Sequence, residues 1–336
     1  MDSETKIVTT IETLMGAHNS NTFSDVQDLL PLFSRPWWLD ATAGPGGWDV
    51  ALVSGASGII AALPYKLETR RGFTIIGMPV MTQTLGPWFS PVPSKLATRL
   101  AREKDLIGEL LDALPAYDHY SQCWHHSMTN WLPAYWRSYS QTTRYSYRLP
   151  ILTDLELVWK GMQSNIRSDI RKAQGRFEVT VEDDGSLADF LTLNDLTFVR
   201  QGKSPPYTRE FLERLDAACV AHRARRIFIG RDAAGRLHAG VYLVWDSQSA
   251  YYLMGGGDPE VRNSGATSLC LWEAIKFAAS VTQSFDFEGS MIEPIERFFR
   301  AFGAVQTPYF QISRTTSWTL RARSGVRDLL RRRGST

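Results

Sequence analysis

The chain has 336 residues, 43 % hydrophobic and 21 % charged, with a formal net charge of +2. That profile describes a soluble globular protein long enough for two domains; it excludes a disordered or collagen-like chain and gives no overall field for nucleic acid. No apolar run approaches the ~20 residues that span a bilayer, and the start, MDSETKIVTT, lacks a charged-then-apolar signal pattern. The three cysteines, Cys123, Cys219 and Cys270, are odd in number and far apart, which fits reduced thiols in a cytoplasmic protein. The 11 Trp fit either an aromatic-lined cleft or large aromatic cores.

In chain order, residues 1–27 are polar and read as a loosely ordered arm, with the first apolar cluster at Phe33, Trp37, Trp38 and Leu39. Strands follow at 48–53 and 59–67 around a Ser/Gly turn, and again at 73–78. After a Pro/Gly-rich stretch, a helical period runs from Ser94 to Leu114. Strand 118–124, an aromatic helix at 130–139 and strand 144–149 complete a first half, 28–150. The second, 151–318, opens with one long helix at 154–174, its stripe formed by Leu155, Val158, Met162, Ile166, Ile170 and Ala173. Strand 177–181, helices 187–200 and 208–222, and strands 226–230, 237–245 and 250–254 come next. Gly255, Gly256 and Gly257 read as a bend. Helix 266–280, strand 284–288, helix 294–302 and strand 307–313 finish it, and 319–336 is a basic tail carrying Arg321, Arg323, Arg327, Arg331, Arg332 and Arg333.

The halves repeat one order of elements, at an offset of 178 between Trp48 and Arg226 and of 164 between Tyr145 and Tyr309. A period this long indicates two domains of one fold. The expected class is α/β with a mixed (α+β) sheet in each.

Two stretches of the second half carry chemistry. Arg262, Asn263, Ser264, Gly265, Ala266 and Thr267 lie between a strand and a helix. Unpaired N–H groups at a helix start bind phosphate oxygens, and a glycine lets the phosphate approach. In Phe285-Asp286-Phe287-Glu288, alternation sends both carboxylates to one face of the strand. A carboxylate at a strand end beside a binding loop suits proton abstraction from an ammonium nucleophile. Either one instead pairs with Arg297 or Arg300 as scaffold. Ser290 either donates to a leaving thiolate or caps the next helix. Cys123, His125 and His126 have poor spacing for a metal, and none is expected.

Arg262-x-x-Gly265 is similar to the pyrophosphate loop of the GNAT superfamily of N-acetyltransferases, with Thr267 where Gly or Ala is usual. The 295–304 helix ending in Phe302-Gly303 resembles a structural helix of the same superfamily. R-x-x-I-R-K-A at 167–173, L-G-P-W at 85–88 and N-W-L-P-A-Y-W at 130–136 resemble its FemAB-like (methicillin-resistance-protein-like) branch, over roughly residues 30–315. The resemblance implies two tandem GNAT-like domains with the acceptor in a cleft between them, the first degenerate and on the acceptor side, the second catalytic. It implies an acyl-CoA, most simply acetyl-CoA, with Met254, Gly256, Arg262, Ser264, Gly265, Ala266 and Thr267 at the donor. N–H groups near Met254 to Gly256 polarise the acyl carbonyl, and Glu288 is the base, with Asp286 second. Arg167, Arg171 and Lys172 hold anionic groups of a nucleotide-, lipid- or tRNA-linked partner, and Trp88 and Tyr207 add acceptor contacts.

The expected function is N-acylation of an amine on a sugar, nucleotide-sugar or peptide precursor in cell-envelope or polysaccharide biosynthesis. The expected location is the cytoplasm, with peripheral contact at the inner membrane face through the tail. One alternative is aminoacyl transfer from aminoacyl-tRNA; another is a glycan-binding protein on the same fold without catalysis.

Overall fold

The structure, a computed structural model, describes residues 23–56, 58–289 and 291–322. It divides into two units, Met1–Thr143 with Tyr309–Thr336, and Arg144–Pro308. Of the N-terminal arm, residues 1–22 lie outside the described residues, while Phe23 is fully buried. Of the tail, Arg323 onward lies outside them too; Arg321 Nε donates to the Thr315 carbonyl at 2.7 Å.

The first unit begins with helix α1 (Pro36–Ala43), started by a proline in its first turn and ended by Gly44 at φ +85°. Along the chain this helix is legible only as an apolar cluster. Its Trp38 is fully buried, with Nε1 donating to Thr82 Oγ1 at 3.1 Å. Strands β1 (Trp48–Gly55), β2 (Gly58–Arg70) and β3 (Phe73–Gly77) form an antiparallel meander, with the short β4 (Trp88–Phe89) on β2. Helix α2 (Leu96–Asp112) returns the chain so that β5 (His119–Cys123) lies parallel to β3. A short helix, α3 (Leu132–Trp136), follows, and β12 (Val305–Thr315) pairs antiparallel with β5. Leu106, Ile107, Leu110 and Leu111 of α2 bury one stripe against Tyr120, Trp124 and Ile312.

The second unit repeats that order. Strands β8 (Arg225–Arg231), β9 (Leu237–Trp245) and β10 (Ser249–Gly257) form an antiparallel meander, with β7 (Thr180–Glu182) on β8. Helix α8 (Ala266–Val281) leads to β11 (Ser284–Asp286), parallel to β10, and β6 (Ser140–Leu149) pairs antiparallel with β11. Helices α4 (Leu155–Gly161), α5 (Ser164–Gly175), α6 (Leu187–Arg200), α7 (Arg209–Ala221) and α9 (Glu293–Arg300) complete it. The core joins the α5 stripe to α8, β9 and the Phe285, Phe287, Phe299 and Phe302 cluster.

Four local readings change. The strand at 144–149, read as the last of the first copy, pairs with β11 of the second unit, and the strand read there at 307–313 pairs with β5. The helix read over 154–174 is two helices. Met162 is extended (φ −65°, ψ 145°), and Arg167 Nη1 reaches back to the carbonyls of Trp159, Lys160 and Met162, capping α4. The buried stripe survives, because Met162, Ile166, Ile170 and Ala173 still face the core. Gly255, Gly256 and Gly257 are strand, not bend. A Cβ on Gly256 would lie 2.5 Å from Asn194 N and 2.6 Å from Leu193 C, so Gly256 admits α6 against the strand. The fourth change, the early end of β11, shapes the site.

Candidate active site

Strand β11 ends at Asp286 because its side chain bends the chain. Asp286 Oδ1 accepts the Glu288 N–H at 2.7 Å, and both Glu288 and Gly289 take φ +59°. Period-two alternation therefore stops at Phe287, and the turn, not the pleat, places Glu288. Phe285 and Phe287 do point into the core as expected.

Asp286 is buried, 6 % exposed. It accepts a hydrogen bond from Ser146 Oγ and faces Arg148 Nε at 3.4 Å. Arg148 Nη2 donates to Ser284 Oγ at 3.0 Å, and Ser284 Oγ donates to the Gln248 carbonyl at 2.9 Å. Asp286 is the register partner of both Tyr251 on β10 and Arg148 on β6, so the three side chains share one face. Tyr251 is 4 % exposed, with its hydroxyl 3.5 Å from Asp246 Oδ2. Burial pushes its phenol well up, and the charges of Asp246, Asp286 and Glu288 add to this against Arg148, so it remains protonated. The scaffold partners read for the carboxylates are elsewhere: Arg297 and Arg300 pair with Glu293 and Glu296.

Burial also raises the Asp286 carboxyl, against the opposing pull of the Ser146 hydroxyl, Arg148 and the Glu288 N–H. A carboxyl raised in the folded state stabilises the fold below its unfolded value, and that contribution is lost as pH rises through the folded value. Unfolding free energy should therefore carry a falling component from pH ~4 upward. Asp286→Asn should remove it, which urea titrations across pH 4 to 7 would read as a flatter profile than wild type.

The stretch expected to hold the donor lies beside this row. Strand β10 pairs with β11 only from Ser249 to Tyr251, then continues alone on that edge to Gly257. Its ladder with β9 shifts between Tyr252 and Met254, leaving Leu253 without a register partner. Met254 is buried opposite Tyr242. Asn194 Nδ2 donates to the Gly255 carbonyl at 2.9 Å, and Thr197 Oγ1 accepts the Gly257 N–H at 3.1 Å. Tyr207 joins the same chain, donating to Asn194 Oδ1 at 2.9 Å; burial pushes its phenol up to about 12.

Beyond Gly257, residues Pro259–Ser264 form a 3-10 turn, and Gly265 at φ +85° starts α8. A Cβ on Gly265 would lie 2.2 Å from the Asp169 carbonyl, so helix packing as well as the left-handed turn requires glycine there. Ser264 Oγ accepts the Ala266 N–H at 3.3 Å, and a Cβ on Gly257 would meet Thr267 Oγ1 at 3.9 Å. The first turn of α8 thus stands beside the free end of β10. Arg262 is exposed.

The basic residues of α5 have contacts within the unit. Arg167 caps α4, Arg171 lies over the Trp159 ring at 5.7 Å, and Lys172 pairs with Asp169 at 2.7 Å. Trp88 belongs to the first unit, where it lines a cavity of about 260 Å³ with Arg99, Arg102 and His125. Ser290 lies outside the described residues. Among the described residues no three His, Cys, Asp or Glu side chains are grouped to hold a metal.

Ser146, Arg148, Tyr251 and Asn194 were not singled out in the sequence. The signal was present for two of them: alternation in R-Y-S-Y-R-L places Arg144, Ser146 and Arg148 on one face, an unusual polar face for a buried strand.

Residues 160–291 match a family model described as an acetyltransferase (GNAT) domain. The chain is an acyltransferase. It carries a GNAT-type acetyltransferase domain in the unit that holds Asp286 and Glu288. Its fold is similar to that of FemX, with a TM-score of 0.61 at 12 % identity over 88 % of this chain and 96 % of that one. It is also similar to a C-terminal domain assigned to a lysylphosphatidylglycerol synthetase from Agrobacterium fabrum, at TM-score 0.56 and 12 % identity over 88 % and 92 % of the two chains. A conserved protein of unknown function from Bacteroides thetaiotaomicron aligns at TM-score 0.53 and 12 % identity over 87 % and 96 %. These folds are consistent with the FemAB-like branch. No curated protein matches the chain in sequence. A GNAT domain implies an acyl-CoA-type co-substrate in general, and no described helix is long and apolar enough to cross a membrane.

Proposed function

We propose that the chain transfers an acyl group from an acyl-CoA, acetyl-CoA in the simplest case, to an amine of a sugar, nucleotide-sugar or peptide precursor used in the cell envelope or a polysaccharide. The observation that carries this reading is the parting of β10 from β11 after Tyr251, with the first turn of α8 at the open end and Glu288 at the closed one. A pantetheine arm laid along the free edge of β10 would reach from one to the other. The pyrophosphate would take N–H groups of Gly265 and Thr267 at the start of α8, where the helix dipole favours negative charge, with Arg262 as an exposed counter-charge. At the register shift around Leu253, next to Met254, a backbone N–H turned out of the β9 ladder would polarise the acyl carbonyl. Glu288 would take the proton of the incoming ammonium as the amine attacks. The new carbon–nitrogen bond forms, the thioester carbon–sulfur bond breaks, and the CoA thiolate takes up the second proton that the nitrogen loses in becoming an amide.

Arg171 and Lys172, on the helix that meets Gly265 through Asp169, would hold further anionic groups. Arg167 is left out of that set because its guanidinium caps α4. Tyr207 reaches the β10 edge through Asn194.

Isothermal titration of the full chain with acetyl-CoA, paired with a thiol-release assay over a panel of amino sugars and peptides, tests the reading. Saturable binding and amine-dependent thiol release are expected. Absence of heat at millimolar acetyl-CoA, together with transfer that RNase abolishes, would replace the donor with an aminoacyl-tRNA.

A further inference from the structure

The second carboxylate of the site, Asp286, has its oxygens committed. Oδ1 accepts from the Glu288 N–H and from Ser146 Oγ, while Oδ2 faces the Arg148 guanidinium. Buried among these partners, the group is shut off from an incoming ammonium. It does fix the backbone of its neighbour. Glu288 at φ +59° is in a region that a side-chain-bearing residue enters only when its surroundings hold it there.

Strand β6 supplies those surroundings. The Phe287 N–H donates to the Tyr147 carbonyl at 2.9 Å. A Cβ on Gly289 would lie 2.1 Å from the Tyr145 carbonyl oxygen and 2.4 Å from Ser146 Cα, so the turn rests directly on the β6 backbone. Arg148 is itself fixed by Ser284, which is fixed by Gln248. Residues 145–148 thus touch Asp286, Phe287 and Gly289, the residues on both sides of Glu288. They also precede residues 160–291, the stretch that matches the acetyltransferase domain.

We propose that Asp286 is a positioning residue, not a second base, and that Ser146 and Arg148 hold it so that it locks the left-handed turn presenting Glu288. Strand β6 is thereby part of the catalytic apparatus. This rests on the reading of Glu288 as the base.

The test compares kcat, KM for both substrates and the pH profile of kcat/KM for full-length wild type, Asp286→Asn, Asp286→Ala, Ser146→Ala and Glu288→Gln, with folding checked by circular dichroism. Asn keeps an acceptor for the Glu288 N–H and for Ser146; Ala does not. Asp286→Asn should retain kcat within about 10-fold, Asp286→Ala should lose about 100-fold, and Ser146→Ala about 3- to 10-fold, since a small misplacement of a catalytic group costs up to about 100-fold. KM should stay within about twofold, and the acidic ionisation should persist in all three and vanish only in Glu288→Gln. The proposal is overturned if Asp286→Asn falls as far as Glu288→Gln and loses the acidic limb, or if Asp286→Ala turns over like wild type. Should Asp286→Ala not fold, wild-type kcat in Ser146→Ala overturns it instead. Wild-type turnover by Glu288→Gln sinks the base reading by itself, whatever Asp286 does.

Discussion

Glu288→Gln is expected to lower kcat for acyl transfer by about 10²- to 10⁴-fold, the range lost when a positioned general base is removed. The substitution is nearly isosteric and keeps the backbone amide that Asp286 holds, so the turn at 288–289 should persist. The loss should therefore fall on kcat, with KM for the acyl-CoA unchanged, because the proposed donor contacts lie on β10 and α8. Steady-state kinetics between pH 6 and pH 9 would check this. Raising the pH supplies more unprotonated amine from solution and so should partly restore the variant relative to wild type. A variant with unaltered kcat across that range would leave proton removal to water or to the substrate, and would favour a protein that kept the fold for glycan binding.

Arg148→Leu carries the largest expected effect on stability. The Arg148 and Asp286 side chains are 16 % and 9 % exposed and lie 3.4 Å apart, so removing the cation leaves a carboxylate in a dry site. Breaking such a pair on one side costs about 3–5 kcal/mol. The cost should depend on pH in a stated direction. Without the guanidinium the Asp286 carboxyl moves further up, so the variant is nearest to wild type in acid, where Asp286 is protonated, and falls behind as pH rises. Arg148→Leu/Asp286→Leu should recover most of the loss, because an apolar pair of similar volume has no charge to desolvate. Urea unfolding of the three proteins at pH 5 and pH 8 would show the pattern. A loss below about 1 kcal/mol at pH 8 for the single variant would place the pair among solvent-screened surface bridges.

Much of the fold was legible because periodicity survives local irregularity. The stripe from Leu155 to Ala173 was read correctly although the helix breaks at Met162, since the break keeps Met162, Ile166 and Ile170 on the core side. The loop at 262–267 and the helix after it were placed by glycine and apolar spacing. The glycine run at 255–257 misled, because glycine marks close approach as readily as a bend, and only the position of α6 decides between them. Of the site, Glu288 and Asp286 were visible as acids at a strand end. Their different surroundings were not, because the partners that separate them, Ser146 and Arg148, are more than a hundred residues away in sequence.

The sequence by itself determined the mixed α/β class, the repeated order of elements, the strand-to-helix loop at Gly265 and the pair of acids. These depend on spacing along the chain, which dihedral preference and side-chain alternation express locally. Tertiary structure alone decided that 144–149 joins β11 and 309–315 joins β5. Alternation says that a segment is a strand but not which edge it meets. That choice of neighbour placed Ser146 and Arg148 against Asp286, enclosed one acid, and left the other on a left-handed turn.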